Sequence, residues 1–179
     1  MTINRREAAL GAASLLVVGP GSTPVLAAPG RKLVLEEFFR GRHVAEGVFT
    51  NTRDNTTRGL KVQMRGTWDE PSRTLTLVED FVYSDGEKDR KTWRFTRTAE
   101  GRYTGTREDV IGEADIRQEG DAVRLSYVAK VMTSSGSSWN IRFNDLLALT
   151  SPREVLNTAD LSWLIFDVGK VRLTIRKVA

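Results

Sequence analysis

Three residues capable of proton chemistry sit among apolar neighbours in this chain. Glu79 shares its parity with Leu75, Leu77, Phe81 and Tyr83 in "LTLVEDFVY". Asp145 shares it with Trp139, Ile141, Phe143 and Leu147 in "WNIRFNDLL", and His43, the single histidine, with Ala45 and Phe49. Alternate residues of an extended chain point to one side, so all three are expected to face an apolar interior. A carboxylate placed there without a partner is costly or takes up a proton instead. Such groups are candidates for ligand recognition or acid–base chemistry. Glu79 is expected to be held by the indole of Trp68 or Trp93, or by an arginine that reaches inward. With the aromatic residues of the same faces, the candidate ligand-binding set is Glu79, Asp145, His43, Trp68, Tyr83, Trp93 and Trp139. The structural alternatives are plain: Glu79 as a latch, Asp145 capping a bulge, His43 exposed at a strand start.

Other chemistries find no support. There is no cysteine, one histidine and no acid-rich loop of calcium spacing, so no metal site is expected. Neither a Gly-x-Ser-x-Gly turn nor a glycine-rich phosphate loop occurs, and no cofactor is expected. The net charge of +4 comes from cations interleaved with acids, as in "REDVIGEADIRQEGD". That pattern describes a solvated surface and gives no basic patch for nucleic acid.

The candidate residues need elements to position them. "KLVLEEFFRG" spaces Leu35, Phe38 and Phe39 for one short helical turn, stopped by Gly41. From there the pattern has period two. Runs fall at 43–50, 58–68, 74–83, 91–97, 102–107, 112–118, 122–132, 138–149, 163–166 and 171–178. Asn, Asp, Gly, Pro and Ser clusters separate them. About ten short strands joined by tight turns predict an all-β fold, an antiparallel up-and-down barrel of lipocalin-like form, closed so that no edge is left bare. "SPREVLNTADLSW" interrupts the alternation and reads as a helical turn or packed loop across one barrel end. In the hairpin around Ser84-Asp85-Gly86, matching apolar residues sets Leu77 opposite Phe95 and Glu79 opposite Trp93.

Residues 1–27 read as a signal peptide, with Arg5-Arg6, an apolar stretch from Ala8 to Val18 and a small-residue ending at Ala27. The arginine pair resembles a twin-arginine export signal, with general secretion as the alternative. Residues 28–179 then form a single barrel domain, periplasmic or secreted, with no cysteine at the cleavage site to carry a lipid anchor.

Four stretches carry a family resemblance: "GTWDEPSRTLTLVEDFVYSDGEKDRKTWRF", "GRYTGTREDVIGEA", "SSWNIRFNDLLAL" and "VLNTADLSWLIFDVGKVRLTIRK". With them, residues 33–178 resemble the DUF3833 family of bacterial proteins. The resemblance implies a lipocalin-like barrel and supplies no activity. Gly47-Val48-Phe49, with Arg172 and Arg176 on the last strand, is similar to the Gly-x-Trp and arginine of lipocalins. An exported barrel with an aromatic interior is expected to bind a lipid or other apolar small molecule. The alternatives are an enzyme using Glu79 and Asp145 as acid and base with His43 assisting, and a solid-core envelope protein.

Overall fold

The computed structural model describes residues 31–132 and 136–178. One short helix, α1 (Leu35–Phe39), precedes ten strands. These are β1 (Gly41–Asn51), β2 (Thr57–Asp69), β3 (Thr74–Tyr83), β4 (Lys88–Ala99) and β5 (Arg102–Thr106), then β6 (Ala114–Glu119), β7 (Ala122–Met132), β8 (Ser138–Ser151), β9 (Glu154–Trp163) and β10 (Phe166–Lys177). Each strand pairs antiparallel with the next, and β10 returns to β1, with Ala45 opposite Ile175, so the sheet closes on itself. The lipocalin-like, up-and-down barrel follows directly from the alternation. Inward rows such as Leu75 and Leu77, or Val123, Leu125, Tyr127 and Ala129, are buried, while their neighbours face solvent.

Two elements differ from the sequence reading. Residues 154–163 are a full strand, β9, in which Val155, Asn157, Ala159 and Leu161 alternate inward. The polar Asn157 broke the apolar row and disguised its period. The apolar run at 163–166 is no strand of its own but the β9–β10 turn, where Leu164 takes a left-handed φ of 55°.

The β3–β4 register also differs. Leu77 lies opposite Trp93, and Glu79 opposite Lys91. The loop is Ser84–Gly86, with the Tyr83 N–H donating to the Glu87 carbonyl at 2.9 Å and Gly86 at φ 88°. A three-residue hairpin loop with glycine in the left-handed position accounts for this. The displacement is two residues, so every side chain keeps its face.

One barrel end is plugged. The Leu33 N–H donates to the Asp121 carbonyl of the β6–β7 turn at 3.0 Å, and α1 then lies against β2 and β3. Gly66 of β2 permits the close approach, since a Cβ there would stand 1.9 Å from the Phe39 carbonyl oxygen. Leu35, Phe38 and Phe39 are buried beneath this cap.

Candidate ligand-binding cavity

The inward rows do not fill the barrel. A cavity of about 720 Å³ runs along the interior, floored by Leu35 and Phe39 of the plug. Leu77, Leu125, Ile141, Leu147, Leu161 and Leu173 are among its aliphatic walls. An aromatic stack crosses it: Phe95 lies on Trp93 at 5.0 Å, Trp93 meets Tyr127 edge-on at 5.1 Å, and Tyr127 stacks on Phe143 at 5.0 Å.

A polar cluster interrupts this apolar lining. β5 points Tyr103 and Gly105 inward, and the next residue of that parity is Arg107. The segment after β5 folds against β7, with the Lys130 N–H donating to the Asp109 carbonyl at 2.8 Å and Val110 bridged to Ala129. Arg107 and Asp109 thereby enter the cavity wall. The Arg107 Nε donates to Asp109 Oδ1 at 2.7 Å and its second nitrogen to Oδ2 at 3.2 Å. Its guanidinium lies 4.6 Å from the Trp93 ring centre and 5.4 Å from that of Tyr127. Burial opposes the Arg107 charge, and the acidic groups of Tyr127, Glu79 and Asp109 more than offset it, so it stays protonated.

Glu79 is 7% exposed. Burial raises its carboxyl from 4.5 to about 7; Arg107 pulls it down, while Asp145, Asp109 and Glu108 push it up. Asp145, on β8, accepts a hydrogen bond from Asn157 Nδ2 across the β8–β9 ladder at 2.9 Å. Burial raises Asp145 from 3.8 to about 6, against the Asn157 amide, the Arg107 charge and the nearby Tyr127 hydroxyl. That hydroxyl closes no hydrogen bond to the second carboxylate oxygen: Asp145 Oδ2 and Asn157 Oδ1 are buried without a partner.

The end opposite the plug forms the mouth. Arg58 stacks over Tyr83 at 3.8 Å and is salt-bridged to Asp85 at 2.7 Å and Glu87 at 2.5 Å. Across from them Trp139 stacks on Trp163 at 5.0 Å, beside the exposed Met132, Leu164, Ile165 and Phe166.

The structure brings Glu79, Asp145, Trp93, Tyr83 and Trp139 to one cavity, the last two at its mouth. Trp68 and His43 do not line it. The Trp68 indole donates to Glu70 at 2.5 Å, at the plugged end, and so cannot hold Glu79. His43 is neither exposed nor a partner of the carboxylates. It lies beneath α1 between Phe38 and Phe39, ring centres 5.3 and 5.5 Å away, with its Nε2 2.9 Å from the Phe38 carbonyl. Burial holds its pKa below 6.5, the Phe38 bond working against this and the Lys177 charge adding to it. The arginine that reaches toward Glu79 is Arg107, through its charge alone. Arg107, Asp109 and Asn157 escaped the sequence reading. The inward parity of Tyr103, Gly105 and Arg107, and that of Val155, Asn157, Ala159 and Leu161, was the available signal. Among the described residues no three His, Asp or Glu side chains gather as metal ligands.

Fold and cavity define a closed, hollow, lipocalin-like antiparallel barrel. Within that class the chain belongs to the DUF3833 family, whose description is "Protein of unknown function" and whose model matches residues 22–177. Among solved structures it is similar to the S-type phycobiliprotein lyase CPES from Guillardia theta, at a TM-score of 0.57 and 9% identity, covering 82% of this chain and 94% of that one. A redesigned β-barrel bound to DFHBI matches with a TM-score of 0.41 and 18% identity, over 79% of this chain and 97% of that one. The comparison with curated proteins gives no match. At these identities the likeness concerns the fold.

Proposed function

We propose that this protein is an exported binding barrel that takes up one apolar small molecule of lipid size. The observation that carries this is the interior cavity of about 720 Å³, apolar in its walls, closed at one end by α1 and open at an aromatic mouth. Its volume falls in the range of small-molecule sites, roughly 300–1,000 Å³, and a few convergent polar groups among apolar walls are their usual composition. The lipocalin-like architecture shared with the lyase supports the barrel on which this rests. A solid-core envelope protein would need no such space. The acid–base alternative loses its third member, because His43 lies under the plug. Export is read from Arg5-Arg6 and the apolar stretch after them, which lie outside the described residues.

Titration with the neutral fluorophore Nile red tests the binding. The protein is expected to saturate at one probe per chain with a rise in emission. Ala159→Phe projects a ring into the cavity from β9 and should abolish most of that rise while leaving the fold intact. Equal binding by both proteins, or no saturable binding, would refute it.

A further inference from the structure

Deepening the proposed binding function, and resting on it, we infer that the ligand carries a hydrogen-bond-donating cation, a primary ammonium group, seated against Asp145, Asn157 and Glu79. A count of donors and acceptors in the polar cluster leads there. The cationic and amide donors are engaged with partners inside the protein: Arg107 grips Asp109 through two nitrogens, Asn157 Nδ2 is given to Asp145, and Lys91 Nζ reaches Asp89 at 2.9 Å and Asp109 at 3.3 Å, while the neutral Tyr127 hydroxyl lies near Asp145 without closing a hydrogen bond to it. The acceptors are not. Asp145 Oδ2 and Asn157 Oδ1 are buried and unpartnered, and Glu79 makes no hydrogen bond among the described residues. The bond from Asn157 to Asp145 fixes the amide with its oxygen free.

Charge points the same way. Glu79, Asp109 and Asp145 all interact with Arg107, so one guanidinium serves three carboxylates, and Lys91 adds its contact at Asp109 alone. A fatty-acid head would bring two more acceptors and another negative charge. An ammonium brings three N–H donors and no acceptor. The upward shifts of Glu79 and Asp145 agree with carboxylates that lack counter-charge.

Displacement of bound Nile red at pH 7 by three ligands of one chain length provides the test: decylamine, decanoate and decyltrimethylammonium, all kept below micelle formation. Decylamine is expected to displace at concentrations about tenfold or more below the other two, the scale of one charge-assisted hydrogen bond. Asp145→Asn should shrink that gap, and Asn157→Leu, which removes an acceptor without changing charge, should narrow it as well. Decanoate displacing as well as the amine would overturn the inference and make Arg107 the head-group ligand. Equal displacement by decyltrimethylammonium would overturn the role of the donors. If none of the three displaces a bound probe, the head-group assignment fails while the binding function stands; if the probe itself does not bind, both fail.

Discussion

Glu79→Gln should make this protein more stable, and only where the carboxylate would be ionised. Glu79 is buried, held by no hydrogen bond among the described residues, and raised from 4.5 to about 7. A group whose folded value lies above its unfolded one binds more protons when folded. Its contribution is then complete below pH 4.5 and is lost as pH rises through about 7. That displacement is equivalent to about 3 kcal/mol of stability withdrawn between the two limits. Asp145, raised from 3.8 to about 6, acts with the same sign over a lower window. His43, lowered below 6.5, acts in the opposite sense, losing stability as pH falls from 6.5. Both are retained in the variant, so the difference between the two proteins reports the loss of the Glu79 charge together with its coupling to Asp145 and Arg107. Thermal melts from pH 4.5 to 8.5 should bring the curves together at the acid end. At the alkaline end Glu79→Gln should melt about 6–12 °C higher, taking 2–4 °C per kcal/mol for a domain of this size. Parallel profiles, or a variant that loses stability relative to wild type as pH rises, would refute the description of Glu79 as an uncompensated buried acid.

Other substitutions probe the remaining parts. Arg107→Met strips the interior carboxylates of their counter-charge and should cost about 3–5 kcal/mol at pH 8. Its cost should be less at pH 5, where Glu79 and Asp145 take up protons; urea melts at both values decide it. Gly66→Ala drives a methyl into the Phe39 carbonyl and should lower stability by about 1–3 kcal/mol as α1 lifts, measured by denaturant unfolding. Replacing Arg5 and Arg6 together by lysine should leave precursor in the cytoplasm on fractionation; unaffected export would favour general secretion.

What the sequence disclosed, and what it hid, follows from the period of a strand. Parity fixes a face, and it survives a register error of two, so Glu79 and Asp145 were placed inside even though the β3–β4 pairing differs. Parity says nothing about height along the barrel. Trp68 and His43 are at the plugged end, away from the carboxylates, a fact settled only by α1 folding back over β2 and β3. Polar residues on inward positions are the hardest to see. Asn157 made a strand look like a loop, and Arg107 sat in a charge-rich stretch that resembles surface. Conversely, the apolar residues at 163–166 resembled a core strand, yet Ile165 is 89% exposed at the mouth. The polar half of the candidate site was thus obscured by the feature that makes it a site, charged and amide groups occupying positions that burial ordinarily reserves for apolar ones.

The most direct measurement of the central claim is a crystal structure of the protein grown with 10-bromodecylamine, its bromine located by anomalous scattering. One molecule is predicted inside the barrel, with the amine nitrogen within hydrogen-bonding distance of Asp145 Oδ2 and the alkyl chain along the apolar wall toward the mouth. A ligand reversed, with its nitrogen at the mouth, would contradict the head-group assignment. An interior without ligand at saturating concentration would contradict the binding function itself.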